Sequence, residues 1–84
     1  MSKVKVVFFA SLKEAVGLSE YLVELDLPIS VGELRQYLVD HLDKGGALLG
    51  PGVQSSVDFE FTRDTDIIAI NTREVAFFPP VTGG

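Results

Sequence analysis

Ser30-Val31-Gly32-Glu33-Leu34-Arg35-Gln36-Tyr37-Leu38-Val39-Asp40-His41-Leu42 (residues 30–42) holds the clearest helical pattern in the chain. Ser30 can accept a hydrogen bond at the amino terminus while the Glu33 side chain reaches back to Ser30, which is the pattern of a capping box. A single apolar stripe follows at helical spacing and consists of Val31, Leu34, Leu38 and Leu42. Gly45 and Gly46 break the pattern. We therefore predict one amphipathic helix over residues 30–42.

Segments with alternating apolar residues lie on both sides of this helix and predict strands. Before the helix we expect a strand at residues 3–9, a short helical turn at residues 12–16 and a second strand at residues 21–27. Ser11 would cap the helical turn and Gly17 would end it. After the helix we expect a loop at residues 44–56, followed by three strands at residues 57–61, 67–70 and 74–78. This order predicts an α+β fold in which one main helix crosses a mixed sheet.

The composition indicates one small domain that is poorly equipped for catalysis. The 84 residues are 46% hydrophobic, and the lack of cysteine excludes disulfides, thiolate metal sites and a cysteine nucleophile. His41 is the one histidine, and its place near the helix end favours a structural role over metal binding. We therefore expect no bound cofactor, no metal and no self-sufficient active site.

The charge balance and the hydropathy pattern limit the possible partners. Twelve acidic residues against 7 basic ones give a net charge of −5, which argues against binding to nucleic acid or to anionic membranes. No apolar run reaches the roughly 20 residues of a membrane-spanning helix, and the amino terminus lacks the pattern of a secretion signal. We expect a soluble, cytoplasmic protein.

The carboxyl end, Phe77-Phe78-Pro79-Pro80-Val81-Thr82-Gly83-Gly84, is the most informative segment for function. Two adjacent prolines cannot continue a sheet interior, and they favour a stiff, extended chain that can reach at most about 20 Å by Gly84. The terminal glycines have no side chains, so a flexible tip that carries a carboxylate can enter a narrow channel in another protein. A frayed chain end is the plain alternative. We divide the chain into a domain at residues 1–78 and a tail at residues 79–84.

Three segments of this chain resemble the small, sulfur-carrying subunits of molybdopterin synthase, the MoaD family. The similarity is strongest over residues 74–84 (EVAFFPPVTGG), where it runs without a gap. Residues 6–17 (VVFFASLKEAVG) are similar to the family's opening strand and helical turn, and the helix start Val31-x-x-Leu34-Arg35 fits as well. The resemblance implies a ubiquitin-like β-grasp fold, whose order of elements agrees with the strands and helices predicted above.

The resemblance also implies a chemistry for the tail. In the family, an E1-like adenylating enzyme uses ATP to adenylate the C-terminal glycine, which then receives sulfur from a sulfur donor protein and becomes a thiocarboxylate. The tail inserts into the large subunit of molybdopterin synthase and delivers sulfur to cyclic pyranopterin monophosphate. By this resemblance Gly84 is the acyl carrier, and the inserted residues are Gly83, Thr82, Val81, Pro80 and Pro79. The large subunit would supply the acid–base groups, in a heterotetramer of two small and two large subunits.

Strand alternation adds a candidate partner surface. If one set of residues faces the helix (Val4, Val6, Phe8, Val75 and Phe77), then its neighbours face outward (Val7, Phe9, Ala76 and Phe78). Apolar residues on an open sheet face are typical of contact surfaces, although a covering loop explains them equally well. In the family this face meets the activating enzyme and the large subunit. We therefore assign Phe9 and Phe78 as interface anchors.

Some positions depart from the family pattern, and other functions remain open. Lys13, which we assign to the same interface, stands where the family often has arginine, and Asn71-Thr72-Arg73 replaces its usual Asp-Gly-Asp turn. The alternatives are a sulfur carrier of thiazole synthesis, a ubiquitin-like modifier that joins Gly84 to lysines of other proteins, and an interaction domain whose tail has no chemistry. Thiazole carriers are typically shorter and lack the two prolines, whereas the modifier shares the tail chemistry as far as the adenylate.

Overall fold

A computed structural model describes residues 2–80, with the backbone alone described at Ser2. Within this range the chain forms two α-helices, α1 (Ala10–Val16) and α2 (Val31–His41), and one 3-10 helix (Gly45–Leu49). The same range contains seven strands, which are β1 (Ser2–Phe8), β2 (Glu20–Leu25), β3 (Ile29–Ser30), β4 (Gln54–Val57), β5 (Glu60–Thr62), β6 (Ile67–Ile68) and β7 (Glu74–Phe78).

Five of these strands form one mixed sheet in the order β2-β1-β7-β4-β5. β1 and β7 run parallel at its centre, and the other neighbouring strands pair antiparallel. The predicted mixed sheet is therefore confirmed, and β7, which leads into the tail, is its central strand.

β3 and β6 form a separate two-stranded ladder, in which Ile29 pairs with Ile68. β6 is shorter than the strand predicted at residues 67–70. The amide of Thr72 donates to the carbonyl of Ala69 at 3.0 Å, so Ile70, the expected last residue of that strand, lies in a turn instead.

The predicted main helix is confirmed, and it covers one face of the sheet. Ser30 Oγ accepts a hydrogen bond from the Glu33 amide, and Glu33 Oε1 accepts one from the Ser30 amide, both at 3.1 Å. This is the capping box that the sequence predicts. The core between helices and sheet consists of buried side chains, which are Val4, Val6, Phe8, Leu12, Val16, Val23, Val31, Leu34, Leu38, Leu48, Ile68, Val75 and Phe77.

The short first helix starts earlier than predicted, and Ser11 does not occupy its cap position. Phe9 is the N-cap residue, in an extended conformation and without a side-chain hydrogen bond. Its amide donates to the carbonyl of Phe77 (3.1 Å), and its carbonyl accepts from the amide of Leu12 (3.1 Å). The chain therefore turns directly from strand to helix, which places Ser11 inside the first turn. Gly17 ends the helix at a φ of +85°, as the sequence predicts.

Ser30→Ala is expected to lower the free energy of unfolding by about 0.5–2 kcal/mol, because it removes the acceptor of the Glu33 amide. Urea unfolding measures the loss. Ser11→Ala is the matched control, and its effect should stay within about 0.5 kcal/mol because Ser11 does not hold a cap position. Equal losses in the two variants would contradict this assignment of the caps.

A tight hairpin replaces the single strand predicted at residues 57–61. β4 begins at Gln54, inside the predicted loop, and its last residue Val57 pairs with Glu60 of β5. Asp58 and Phe59 form the two-residue turn, and both have positive φ, at +47° and +73°. The Asp58 carboxylate accepts hydrogen bonds at 3.0–3.1 Å from the amides of Arg73, which directly precedes β7, and of Glu74, which begins it. The turn is thus fastened to the central strand.

Phe59→Gly is expected to raise the free energy of unfolding by about 1 kcal/mol, because glycine adopts a positive φ without the steric cost of a Cβ. Asp-Gly is also a favoured pair in two-residue hairpins of this kind. Phe59 is 84% exposed, so the change removes little packing. Urea unfolding provides the measurement. Phe61→Gly, two residues further along in β5, should instead lose stability, and a loss at both positions would argue against strain at Phe59.

Candidate functional site

The candidate site is the sheet face turned away from α2, which we call the outer face, together with the tail that leaves its central strand. The strand register places one row of side chains across the whole sheet, formed by Glu20, Val7, Ala76, Ser56 and Phe61. The next row toward the tail holds Phe78 on β7 and Gln54 on β4. The outer face is therefore assembled from segments that are far apart in the sequence.

Three aromatic side chains lie near the end of β7, and we call Phe9, Phe61 and Phe78 the aromatic patch. The rings of Phe61 and Phe78 meet edge to face, with centroids 5.4 Å apart. Phe9 is held beside β7 by the hydrogen bond from its amide to Phe77. Phe9 and Phe61 are 47% and 74% exposed, and Phe78 is half-buried. Exposed aromatic side chains next to the base of the tail are typical of a protein–protein contact surface.

Phe61 is the member of the aromatic patch that sequence reasoning missed. The predicted strand at residues 57–61 placed Phe61 on one face with Val57 and Phe59. The turn at Asp58 and Phe59 instead starts a new strand, and the pairing of Ser56 with Phe61 puts Phe61 on the outer face. The turn lacks the Asn-Gly or Asp-Gly pair that usually signals such a hairpin, so the local sequence carries little sign of it.

The other residues assigned to the interface differ in how much surface they present. Val7 is half-buried on β1, and Lys13 is exposed on α1. Ala76 is only 5% exposed, although its strand position points away from the core. It is a small residue in the central strand, flanked across the sheet by Val7 and Ser56. Contrary to the expectation of an exposed contact residue, Ala76 presents little area of its own.

The end of the outer face away from the tail is charged. Lys3 pairs with Glu24 at 3.7 Å, and Lys5 pairs with Glu20 at 3.4 Å. All four side chains are largely exposed, so each pair contributes only about 0–1 kcal/mol to stability. The outer face thus changes from charged to aromatic toward the tail, which gives a partner one preferred orientation on it.

The tail begins directly at the aromatic patch. Phe78 is the last residue of β7, and it is followed by a half-buried Pro79 and an exposed Pro80. Neither proline has an amide donor, so the strand cannot continue through them as a ladder. The residues that the sequence assigns to insertion and acyl transfer, Val81, Thr82, Gly83 and Gly84, lie outside the described residues. A partner that receives the tail must approach close to the aromatic patch.

Polar side chains elsewhere serve the fold. Asp66 Oδ2 accepts a hydrogen bond from the Arg63 amide at 2.7 Å, and His41 Nδ1 lies 2.8 Å from the carbonyl of Tyr37, on whose ring it stacks. Across residues 2–80, no group of three or more histidine, aspartate or glutamate side chains is arranged to hold a metal ion. None of the helices in that range is long and apolar enough to cross a membrane. The outer face and the base of the tail remain the candidate site.

Sequence comparisons relate almost the whole chain to known proteins. The model of the ThiS family matches residues 6–84, a range that includes the tail. An Escherichia coli (strain K12) protein named molybdopterin synthase sulfur carrier subunit is 40% identical over 81 residues, which cover 96% of this chain and 99% of that protein. A Haemophilus influenzae protein of the same name is 32% identical over 79 residues, which cover 94% of this chain and 96% of that protein.

A comparison of structures confirms the architecture. The crystal structure of SAMP1 from Haloferax volcanii aligns with a TM-score of 0.76 and 26% sequence identity, and the alignment covers 99% of this chain and 100% of that one. The mixed sheet crossed by one main helix is therefore the ubiquitin-like β-grasp fold that the sequence predicts.

Proposed function

This chain belongs to the ThiS family, and we propose that it is the sulfur carrier subunit of a molybdopterin synthase. The observation that carries the proposal is the near-full-length similarity to two proteins of that name. The structure adds a physical reason, because the tail leaves the central strand of the sheet beside an exposed aromatic patch. Such a chain is suited to docking by its sheet face while its end enters the partner.

We propose that Gly84 carries the reactive carboxylate. On an E1-like adenylating enzyme, this carboxylate attacks the α-phosphorus of ATP, which forms an acyl-adenylate and releases pyrophosphate. A sulfur donor protein then supplies sulfur at the oxidation level of sulfide; the carbon–sulfur bond forms and AMP leaves. The product is a thiocarboxylate, a soft nucleophile at neutral pH. ATP is bound by the activating enzyme in this scheme, and the carrier itself binds no cofactor.

The loaded tail then delivers its sulfur inside the large subunit. The sulfur forms a bond to a carbon of cyclic pyranopterin monophosphate and displaces an oxygen leaving group from that carbon, and water cleaves the bond between the acyl carbon and sulfur. That cleavage restores the carboxylate of Gly84 and leaves the sulfur on the pterin. A dithiolene contains two sulfurs, so two loaded carriers are consumed for each molybdopterin. This stoichiometry is compatible with a heterotetramer of two small and two large subunits.

We propose that the activating enzyme and the large subunit use the same outer face in turn. Both must receive the same tail, and the aromatic patch lies where that tail begins. Burial of the aromatic rings supplies affinity, while the paired charges at the far end of the face favour one orientation. We place the reaction in the cytoplasm, which supplies the ATP that activation consumes.

A protein modifier is the second candidate function, and the structural similarity to SAMP1, a small archaeal modifier protein, favours it. In that role the acyl group of Gly84 is transferred to the amine of a lysine on a target protein, with loss of the activating group. The step shares the adenylate but needs no sulfur transfer to a pterin. The two functions therefore differ in the final acceptor, which is a pterin for the sulfur carrier and a lysine amine for the modifier.

Intact-mass spectrometry tests the proposed function. The purified chain is incubated with the activating enzyme of its own organism, ATP and a sulfur source. We expect the replacement of one oxygen by sulfur at Gly84, followed by loss of that sulfur to cyclic pyranopterin monophosphate when the large subunit is added. Adducts on lysines of other proteins would support the modifier, and transfer to a thiazole precursor would support the thiazole carrier. An unmodified chain, with an enzyme that loads another carrier, would contradict all three.

A further inference from the structure

Gly52 lies directly opposite Pro80 at the point where the tail leaves the sheet. β4 and β7 pair antiparallel, with Ser55 opposite Phe77 and Gln54 opposite Phe78. Two residues further along the same register, Gly52 comes opposite Pro80. Because proline has no amide donor, Pro80 cannot donate a ladder hydrogen bond to this segment. The two residues meet through close contact of their surfaces instead.

The contact leaves no room for a side chain at residue 52. A Cβ built on Gly52 would lie 2.7 Å from Pro80 Cβ and 3.3 Å from Pro80 Cγ, and the first distance is shorter than carbon atoms tolerate. Gly52 also has a φ of +77°, in the region that favours glycine. Both the backbone conformation and the approach of the proline ring therefore require glycine here.

Arg35 fixes the loop that carries Gly52. Its Nη1 donates a hydrogen bond to the carbonyl of Leu48 at 2.9 Å, before the loop. Its Nη1 and Nη2 donate to the carbonyl of Val53 at 3.5 and 3.4 Å, directly after Gly52. One guanidinium on α2 thus holds both ends of the short segment between the 3-10 helix and β4.

The same guanidinium connects this loop to the strand that leads into the tail. Arg35 lies over the ring of Phe77, 5.4 Å from its centroid, and Phe77 belongs to β7. The Asp64 carboxylate holds the guanidinium from another side at 3.0 Å, and the Arg35 side chain is only 13% exposed. The positions of Gly52 and of the end of β7 are therefore set by one partly buried guanidinium.

We propose that Gly52 is a positioning residue that sets the direction in which the tail leaves the sheet. Pro80 lies against the bare backbone of Gly52, so the stiff Pro79-Pro80 segment starts at a fixed angle. A tail that already points toward the partner's channel loses less conformational freedom on insertion. This inference rests on the proposed function, because the direction matters to activity only if a partner receives the tail.

Gly52→Ala in the full chain tests the proposal, and Gly17→Ala is its matched control. Both substitutions place alanine at a similar positive φ, +77° and +85°, but a Cβ at Gly17 comes no closer than 3.9 Å to a neighbour, which is Lys44 Cδ. The strain of a positive φ should lower the melting temperature of both variants, whereas the clash with Pro80 is confined to Gly52→Ala. We expect Gly52→Ala alone to raise the KM for the carrier in the activation reaction, by about 10- to 100-fold, with kcat unchanged.

A measurement that does not depend on function accompanies the kinetics. In the nuclear Overhauser spectrum of the unmodified chain we expect contacts between the Gly52 Hα and Pro80 Hβ protons. The ¹³C shifts of Pro80 should change in Gly52→Ala and stay constant in Gly17→Ala. If Gly52→Ala fails to fold, Gly52→Asn replaces it, because asparagine tolerates a positive φ but still brings a Cβ against Pro80.

The outcomes separate this proposal from the proposed function. A missing Gly52–Pro80 contact, or equal KM values for the Gly52→Ala and Gly17→Ala chains, would overturn the positioning role even if the unmodified chain is loaded with sulfur. Failure of the unmodified chain to be loaded would overturn the proposed function. The nuclear Overhauser spectrum would still show whether Gly52 and Pro80 are in contact. A rise in KM confined to the residue-52 variant, with the Pro80 shifts displaced, would support the proposal.

Discussion

Removal of Gly84 is expected to abolish thiocarboxylate formation while leaving the fold intact. The buried core side chains of the described residues lie between Val4 and Phe77, well before Gly84 in the sequence. The deletion moves the terminal carboxylate back by one residue, about 3.3–3.6 Å along an extended chain. Reacting atoms must approach to about 3–3.5 Å, so a carboxylate that stops one residue short of the nucleotide should react at least about 100-fold more slowly.

Intact mass after incubation with activating enzyme, ATP and sulfur source measures this loss. Gly46→Ala is a suitable control, because a Cβ at Gly46 meets nothing within 4 Å, and this variant should load like the unmodified chain. One residue added after Gly84 should also block loading, since the acyl carbon is then part of a peptide bond. Full loading of either the deleted or the extended chain would show that Gly84 is not the acyl carrier.

Local patterns in the sequence were sufficient to predict most of the fold. The capping box of Ser30 and Glu33 and the stop at Gly17 depend on neighbouring residues, so they could be read directly. The hairpin at Asp58 and Phe59 could not be read in this way. Its turn contains no glycine, and its conformation is held by hydrogen bonds from Arg73 and Glu74, which are 15 and 16 residues away.

The residues of the candidate site also divide into those that a local sequence pattern predicts and those that it does not. Phe9 and Phe78 were found because each alternates with buried residues in its own strand. Phe61 was missed because its strand begins only after the unpredicted turn. Gly52 was missed for a different reason, since its role depends on Pro80, and only the pairing of β4 with β7 brings the two together. Residues that act through contacts distant in sequence leave no local pattern.

Phe78→Ala is expected to weaken binding to the large subunit by roughly 1–4 kcal/mol, the range for an aromatic anchor at the centre of an interface. This corresponds to an increase in Kd of about 5-fold to almost 1,000-fold, which calorimetry can measure. The variant should fold, because Phe78 is half-buried on the outer face and its ring meets the exposed Phe61 rather than the core. Loss of that edge-to-face contact costs about 0.5–1.5 kcal/mol of stability.

Leu22→Ala is the control that distinguishes a specific contribution of Phe78 from nonspecific apolar binding by the outer face. Leu22 lies on the edge strand β2 opposite Lys5, at the charged end of the same face, and it is 61% exposed. Leu22→Ala therefore removes a similar kind of apolar surface at a site away from the tail. The Kd of this variant for the large subunit should change by less than about 5-fold. Similar Kd values for Phe78→Ala and the unmodified chain would show that the aromatic patch is not part of the interface. Equal losses for the Phe78 and Leu22 variants would mean that the partner covers the whole face, because binding centred on the tail predicts a loss that declines with distance from β7.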